Sequence, residues 1–226
     1  MKILAIIPAR GGSKGIPKKN LIDVAGKPLI AWTIEAAIDS KAMHTIVVTS
    51  DNKEILDYSA TYKNVINIKR PTSLAEDSSP TEPVISHVLD TLPNVRNYDY
   101  LILLQPTSPL RTSKDINAAI SLVFKSKALS LISVTEPTHH PLKSFIKDKN
   151  GYLKGLVNDN FPFMPRQKLP ETFQPNGAIY IVEVKEFLKN NKLFTDKTIS
   201  YKMSAEKSID IDTLEDIKKL EHQIKL

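Results

Sequence analysis

Residues 2–8, Lys-Ile-Leu-Ala-Ile-Ile-Pro, form an almost wholly apolar run, and a segment rich in glycine and basic residues follows at once: Arg10-Gly11-Gly12-Ser13-Lys14-Gly15-Ile16-Pro17-Lys18-Lys19-Asn20. A run this short and apolar has no polar face to offer water. It predicts a strand buried on both sides, as in a parallel sheet covered by helices. It is too short for the apolar core of an export signal, and Arg10 and Lys14 replace a small-residue cleavage site. No other stretch approaches the roughly 18 apolar residues that cross a bilayer. The expectation is a soluble, cytoplasmic protein with no membrane partner.

The strand signal recurs at Thr45–Thr49, Val65–Ile68, Tyr100–Leu104 and Leu129–Val134. Helical periodicity lies between these runs: Leu29–Ile38 with Pro28 expected in its first turn, a stretch after Asp51-Asn52, then Val84, Ile85, Val88, Leu89 and Leu92, then Ile116, Ala119, Ile120, Val123 and Phe124. Alternating strand and helix predict right-handed βαβ units and a doubly wound, mostly parallel α/β sheet. Trp32, in the first helix, is expected in the core. The rhythm breaks over 136–172, where Pro137, Pro141, Pro162, Pro165 and Pro170 interrupt short apolar stretches. A structureless loop that long does not suit a compact domain. The segment is expected to be an inserted subdomain of short strands within a single domain spanning 1–226. The pattern returns at Gly177–Val182 and Ile199–Met203, and ends in a helix marked by Leu214, Ile217, Leu220 and Ile224.

With no cysteine, a thiol nucleophile, a disulfide scaffold and thiolate zinc sites are excluded. His139 and His140 are expected to be structural or interface residues. The net charge of +6 admits an anionic ligand. A nucleic-acid surface would interleave aromatics among clustered cations; the 10–20 segment has none, and no nucleic acid is expected.

Ligands of open α/β sheets bind outside the carboxyl ends of the strands, and three segments fall there. In the 10–20 loop, glycines let backbone N–H groups approach a phosphate while Arg10, Lys14 and Lys19 supply charge. The spacing matches neither a Walker A loop nor Gly-x-Gly-x-x-Gly. In Ser208-Ile209-Asp210-Ile211-Asp212, an extended chain sets Asp210 and Asp212 on one face, which suits Mg²⁺ shared with substrate phosphates. Alternatively Asp212 caps the last helix, with Glu215 completing a box. Leu104–Arg111 offers Gln105, Thr107 and Ser108 at a strand end, groups suited to sugar hydroxyls or simply to a turn.

The segments 7–20, Arg70-Pro71, Leu74-Ala75-Glu76-Asp77, Gln105–Arg111, His139–Lys143, Pro165-Arg166-Gln167, Gln174–Tyr180 and Ser208–Asp212 run in the order of one family. Across essentially the whole chain the sequence resembles the N-acylneuraminate cytidylyltransferases, or CMP-sialic acid synthetases. The resemblance implies a Rossmann-like nucleotidyltransferase that moves CMP from CTP to the anomeric hydroxyl of N-acetylneuraminate or a related nonulosonic acid, releasing pyrophosphate. It implies a homodimer whose 136–172 insertion reaches the partner subunit. Arg10, Ser13, Lys14 and Lys19 are then implied to hold the triphosphate, with Asn20, Arg70 and Thr81 near the nucleoside. Gln105, Tyr180 and, from the other subunit, Lys143 and Arg166 are implied to meet the sugar acid. Asp210 and Asp212 are implied to bind Mg²⁺, with Mn²⁺ as a substitute, and Arg10, Lys14 and Asp210 to carry the catalysis. The family's paired aromatics beside the N-acyl group are here Leu193-Phe194. The smaller Leu193 leaves room for legionaminate or pseudaminate, ranked behind N-acetylneuraminate. The rivals are a Kdo or sugar-phosphate nucleotidyltransferase and a non-enzymatic nucleotide-binding regulator.

Overall fold

The computed structural model describes residues 1–76 and 79–224 of the 226; Asp77, quoted above, lies outside them. The first half runs β1 (Ile3–Pro8), β2 (Asp23–Val24), β3 (Lys27–Pro28), α1 (Leu29–Asp39), β4 (Thr45–Ser50), α2 (Lys53–Ser59), β5 (Val65–Lys69), α3 (Thr81–Thr91) and β6 (Tyr100–Leu103). It continues with α4 (Ser113–Ser126), β7 (Ser130–Thr135), β8 (Phe145–Lys147), β9 (Leu153–Gly155), β10 (Gln174–Glu183), α5 (Val184–Asn190), β11 (Thr198–Lys202) and α6 (Leu214–Ile224).

Seven strands form one sheet in the order β11-β7-β10-β6-β1-β4-β5. All are parallel except β10, which runs antiparallel between β6 and β7. Central β1 explains its own composition. Ile3, Ala5 and Ile7 pack beneath α1, α2 and α4, while Leu4 and Ile6 pack beneath α3 and α5. Each isoleucine or leucine so buried contributes about 1.5–3 kcal/mol. α4 starts on a full capping box, Thr112 with Asp115. Among the described residues, no helix is long and apolar enough to cross a membrane.

A third, smaller core lies beyond the strand ends. Ile16 from the 10–20 loop, Val24 of β2, Leu29 of α1, Ile211, and Ile217 and Leu220 of α6 pack together. This cluster fastens the loop after β1 to the segment before α6, although nearly two hundred residues of chain separate them.

Several expectations need correction. Trp32 is half-buried, with its indole N–H donating to the Val24 carbonyl at 3.2 Å and Lys27 Nζ 3.8 Å above its ring. An indole keeps its N–H where a partner is available, and the rim offers one. Phe124 and Leu214, placed on the apolar stripes by spacing, are 59% exposed. Both sit about 80° or more from the centre of their helix stripe at 100° per residue, so each helix turns them away from the core its stripe packs on. Pro28 ends β3 and precedes the helix instead of entering its first turn. The 208–212 segment is not a strand, though Ile209 and Ile211 do face the small core. The short helix α5 was not anticipated; its seven residues carry too little periodicity.

The 136–172 segment projects from the end of β7. It consists of the β8–β9 hairpin and one-turn 3₁₀ helices at Pro141–Lys143, Phe161–Phe163 and Arg166–Lys168. His140, only 8% exposed, anchors it: Nδ1 accepts from the Leu142 N–H at 3.3 Å and Nε2 lies 3.1 Å from the Pro170 carbonyl.

Candidate active site

The 10–20 loop is held at three points. At its base Asn20, 6% exposed, donates Nδ2 to the Arg10 carbonyl at 2.8 Å. At its start the Gly11 N–H donates to Asp51 Oδ1 at 2.9 Å. At its far side Lys19 Nζ donates to Asp212 Oδ1 at 2.9 Å and to the Ile211 carbonyl at 2.8 Å. The glycines divide their labour. A Cβ on Gly11 would lie 2.6 Å from Asn52 Cβ, and one on Gly15 would lie 2.3 Å from the Asp212 carbonyl oxygen. These two serve protein packing, whereas Gly12 has open space at its Cβ position and lines the cavity beside it.

That cavity, about 260 Å³, brings together Arg10, Ser13, Lys19, Asn20, Arg70, Thr81 and Gln105, scattered over nearly a hundred residues of sequence. Arg70 is 5% exposed, and its Nη2 lies 3.5 Å from Asp51 Oδ1. Among the described residues its Nε has no partner, and its Nη2 has only that long ion-pair contact and no hydrogen bond. Burial lowers its pKa, and the nearby Arg10 charge lowers it further against the pull of Asp51. Orphaned donors on a desolvated guanidinium beside a second cation call for an acceptor-rich anion. Leu74 and Glu76, both from the Leu74–Asp77 motif, also line the cavity with Val84, which the sequence marked only as part of a helical stripe.

Gln105 is shared with a second cavity, of about 390 Å³, that also holds Tyr180, Asn176, Ser208 and Asp210. Asn176 was quoted only inside a motif, yet it is the hub here. Its Oδ1 accepts from Ser133 Oγ at 2.6 Å, and its Nδ2 donates to Ser208 Oγ at 2.9 Å. The chain bulges at this point of β10, and Gly177 takes φ +74° with Gln105 Oε1 2.7 Å from where a Cβ would stand. A residue other than glycine would therefore meet both backbone strain and Gln105. Tyr180 has its pKa raised by burial and by the Asp210 charge.

Asp210 joins the two cavities, since it faces the second and bonds to Thr107, which lines the first. Burial raises its pKa, and Asp212 and Asp216 raise it further against Thr107 and Lys19. A carboxylate destabilised in this way fits a divalent cation. Among the described residues no group of three or more acidic, histidine or cysteine side chains could form a complete metal cage. Two carboxylates beside a cationic cavity are the donor set Mg²⁺ uses when substrate phosphates complete its shell. Asp212 is not the helix cap. That role belongs to Thr213 and Asp216, with Asp216 Oδ2 accepting from the Thr213 N–H at 2.9 Å and Oγ1 at 2.8 Å, while Glu215 pairs with Lys219 at 3.1 Å. Thr213 is the better cap because its hydroxyl reaches the Asp216 N–H at 3.3 Å.

The remaining candidates lie elsewhere. Lys14 stands exposed on the loop and does not line either cavity. Lys143 is exposed on the insertion, and Arg166 lines a separate recess with Glu136 and His140. Leu193 packs against the core beneath α3 and α5, and Phe194 is 67% exposed outside both cavities.

A doubly wound α/β sheet with a cationic, glycine-bearing cradle at its strand ends defines a nucleotide-handling protein of the Rossmann-like kind. The chain belongs to the cytidylyltransferase family, whose model it matches over residues 4–225. It is 35% identical over 219 residues to an N-acylneuraminate cytidylyltransferase of Streptococcus agalactiae, covering 96% of this chain and 52% of that one. It is 36% identical over 220 residues to a CMP-N,N'-diacetyllegionaminic acid synthase of Legionella pneumophila, covering 94% and 92%. The chain thus spans about half the length of the streptococcal relative and nearly the whole of the Legionella one. In fold it is similar to a CMP:2-keto-3-deoxy-manno-octonic acid synthetase solved with CTP, with a TM-score of 0.74, 16% identity, and coverage of 100% of this chain and 99% of that one.

Proposed function

We propose that the protein transfers CMP from CTP to the anomeric hydroxyl of a nonulosonic acid and releases pyrophosphate. The carrying observation is the pair of cavities that meet at Gln105, one rich in cations and orphaned donors, the other lined by neutral amide and hydroxyl groups with Asp210 at the junction. In this reading Arg10, Ser13, Lys14 and Lys19 hold the triphosphate, and Asn20, Arg70 and Thr81 receive the nucleoside. Gln105 and Tyr180 face the sugar acid.

The sugar hydroxyl attacks the α-phosphorus in line as the bond to pyrophosphate breaks. Such a reaction demands positioning and charge neutralisation more than covalent help from the protein. Arg10 and Lys14 take up the charge that grows on the phosphate oxygens, and the cavity walls keep water from competing with the sugar. Asp210 and Asp212 would hold Mg²⁺, or Mn²⁺ in its place, which would supply phosphate charge neutralisation and a lowered pKa for the attacking hydroxyl.

The protein works as a homodimer in this proposal. Phe163 is 80% exposed, Tyr152 72%, Leu153 63% and Val157 62%, an apolar surface on the insertion that a second copy covers. That copy delivers Lys143 and Arg166 to the sugar carboxylate, where a bidentate Arg is the better match. A CTP-consuming enzyme belongs in the cytoplasm.

N-acetylneuraminate is ranked first. Legionaminate is the second reading, favoured by the match over nearly the whole length of the Legionella relative. The deciding experiment measures pyrophosphate release from CTP, ATP, GTP and UTP with each of N-acetylneuraminate, legionaminate, pseudaminate and Kdo. Release from CTP with a nonulosonic acid is expected. Turnover of Kdo alone, or none with CTP, overturns the proposal.

A further inference from the structure

Arg111 closes the Gln105–Arg111 motif, yet nothing in the proposed reaction uses it. It is 1% exposed, the largest fully buried side chain of the protein's described residues. Its nearest acidic influence, Asp115, is already engaged by Thr112 and by Lys207 at 3.0 Å. Among the described residues Arg111 therefore lacks a close counter-ion, and burial drives its pKa down to about 9, which still leaves a cation at neutral pH. A buried charge without an ion-pair partner is destabilising, and an apolar residue of similar volume is commonly tolerated as well or better. Packing alone does not explain an arginine here.

Its hydrogen bonds do. Nη1 donates to the Gln105 carbonyl at 3.2 Å and to the Ala178 carbonyl at 2.8 Å, and Nη2 donates to Thr33 Oγ1 at 2.7 Å. Gln105 lines both cavities. Ala178 follows Gly177, whose backbone is pressed against the Gln105 amide, and Thr33 belongs to α1. One planar guanidinium thus ties together the loop after β6, the bulge of β10 and the first helix. A lysine could not span those three acceptors with the same fixed geometry.

We propose that Arg111 is a positioning residue that fixes Gln105 and the β10 bulge at the wall between the two cavities, so that the sugar side is held in register with the nucleotide side. The role of Gln105 toward the sugar rests on the function proposed above.

The test uses Arg111→Met, Arg111→Lys and Thr33→Val in the intact chain, read two ways. The first readout needs no substrate: the Gln105 side-chain amide resonances, assigned by their loss in Gln105→Ala, are expected to shift in Arg111→Met and Thr33→Val. The second is kinetic. Arg111→Met should lower kcat/KM for the sugar acid at least tenfold while KM for CTP stays within threefold, and adding Gln105→Ala should cost little more. Arg111→Lys should recover only part of the loss. If Arg111→Met fails to fold, Thr33→Val carries the same test with a smaller shift. Unmoved Gln105 resonances, or equal losses toward both substrates, overturn the proposal. A wild type inactive with every sugar acid refutes the proposed function instead, while the resonances still decide the positioning role.

Discussion

The nucleotide cradle and the 136–172 insertion are both irregular segments attached to the same sheet, and they meet water in opposite ways. The cradle buries its apolar residues within its own chain: Ile16 is 1% exposed, and Ile211 and Leu220 are fully buried. The insertion leaves Tyr152, Leu153, Val157 and Phe163 exposed. Its β8–β9 hairpin is a two-stranded sheet, which has marginal stability without something to pack on. The cradle is therefore finished by folding, whereas the insertion presents a face that association would finish. In terms of the proposed function, nucleotide binding belongs to one chain and sugar binding to two.

The hardest test of that division is the charge in the cradle. Arg10→Ala and Arg70→Ala should each reduce turnover on the order of hundredfold, or about 2.7 kcal/mol, as removal of one preorganised charge does. Neither should disturb the insertion, so the oligomeric state should be that of wild type. Lys14→Ala, on the exposed rim, should act in the same direction with a smaller loss. Steady-state kinetics with CTP, alongside size-exclusion chromatography with light scattering, provide the check; an Arg10→Ala enzyme within a few-fold of wild type removes the triphosphate role.

A second test attacks the other region. Replacing Leu153 and Phe163 together by Asp places charges on the exposed apolar face, where like charges from two copies would meet. The double variant should be monomeric and should lose sugar-acid turnover about tenfold or more, while CTP binding by calorimetry stays near wild type. A monomer with full turnover would show that the insertion's cations are not shared between subunits.

Gly15→Ala asks how tightly the cradle is closed. The added methyl would press on a backbone carbonyl, which cannot rotate away as a side chain could. Overpacking of this kind costs about 1–3 kcal/mol, or roughly 2–4 °C in Tm per kcal/mol for a chain of this size. Activity should fall with it, since the same displacement separates Lys19 from Asp212. Gly12→Ala meets open space and serves as the control, with Tm unchanged.

The sheet was legible in the sequence because its signal is local: β1, β4, β6 and β7 are apolar runs between turn residues, and parallel strands cannot hide that pattern. The direction of β10 was not, since Gly177–Val182 has the same composition whichever way it runs. At the site, single-chain motifs marked the 10–20 loop and Asp210, but the part played by Asn176 depends on Ser133 and Ser208, which only the folded sheet brings near. Arg111 likewise stood in plain view as the end of a turn; its importance lies in three acceptors drawn from three elements.

The smallest expected effect separates two neighbours that the sequence confused. Thr213 and Asp216 satisfy the first turn of α6, whereas Asp212 is paired with Lys19 across the cradle. Thr213→Ala should therefore lose about 1 kcal/mol of stability, the usual worth of an N-cap, and keep its turnover. Asp212→Asn should do the reverse, holding its Tm near wild type because the Lys19–Asp212 pair has an Asp212 side chain 72% exposed and exposed pairs contribute little. Its turnover should fall and respond to added Mg²⁺ at higher concentrations than wild type needs. Thermal melts and Mg²⁺ titrations of the two variants, run side by side, distinguish them. If Asp212→Asn melted early and kept normal activity, the aspartate would be a structural tie of the cradle, and the metal reading would rest on Asp210 alone.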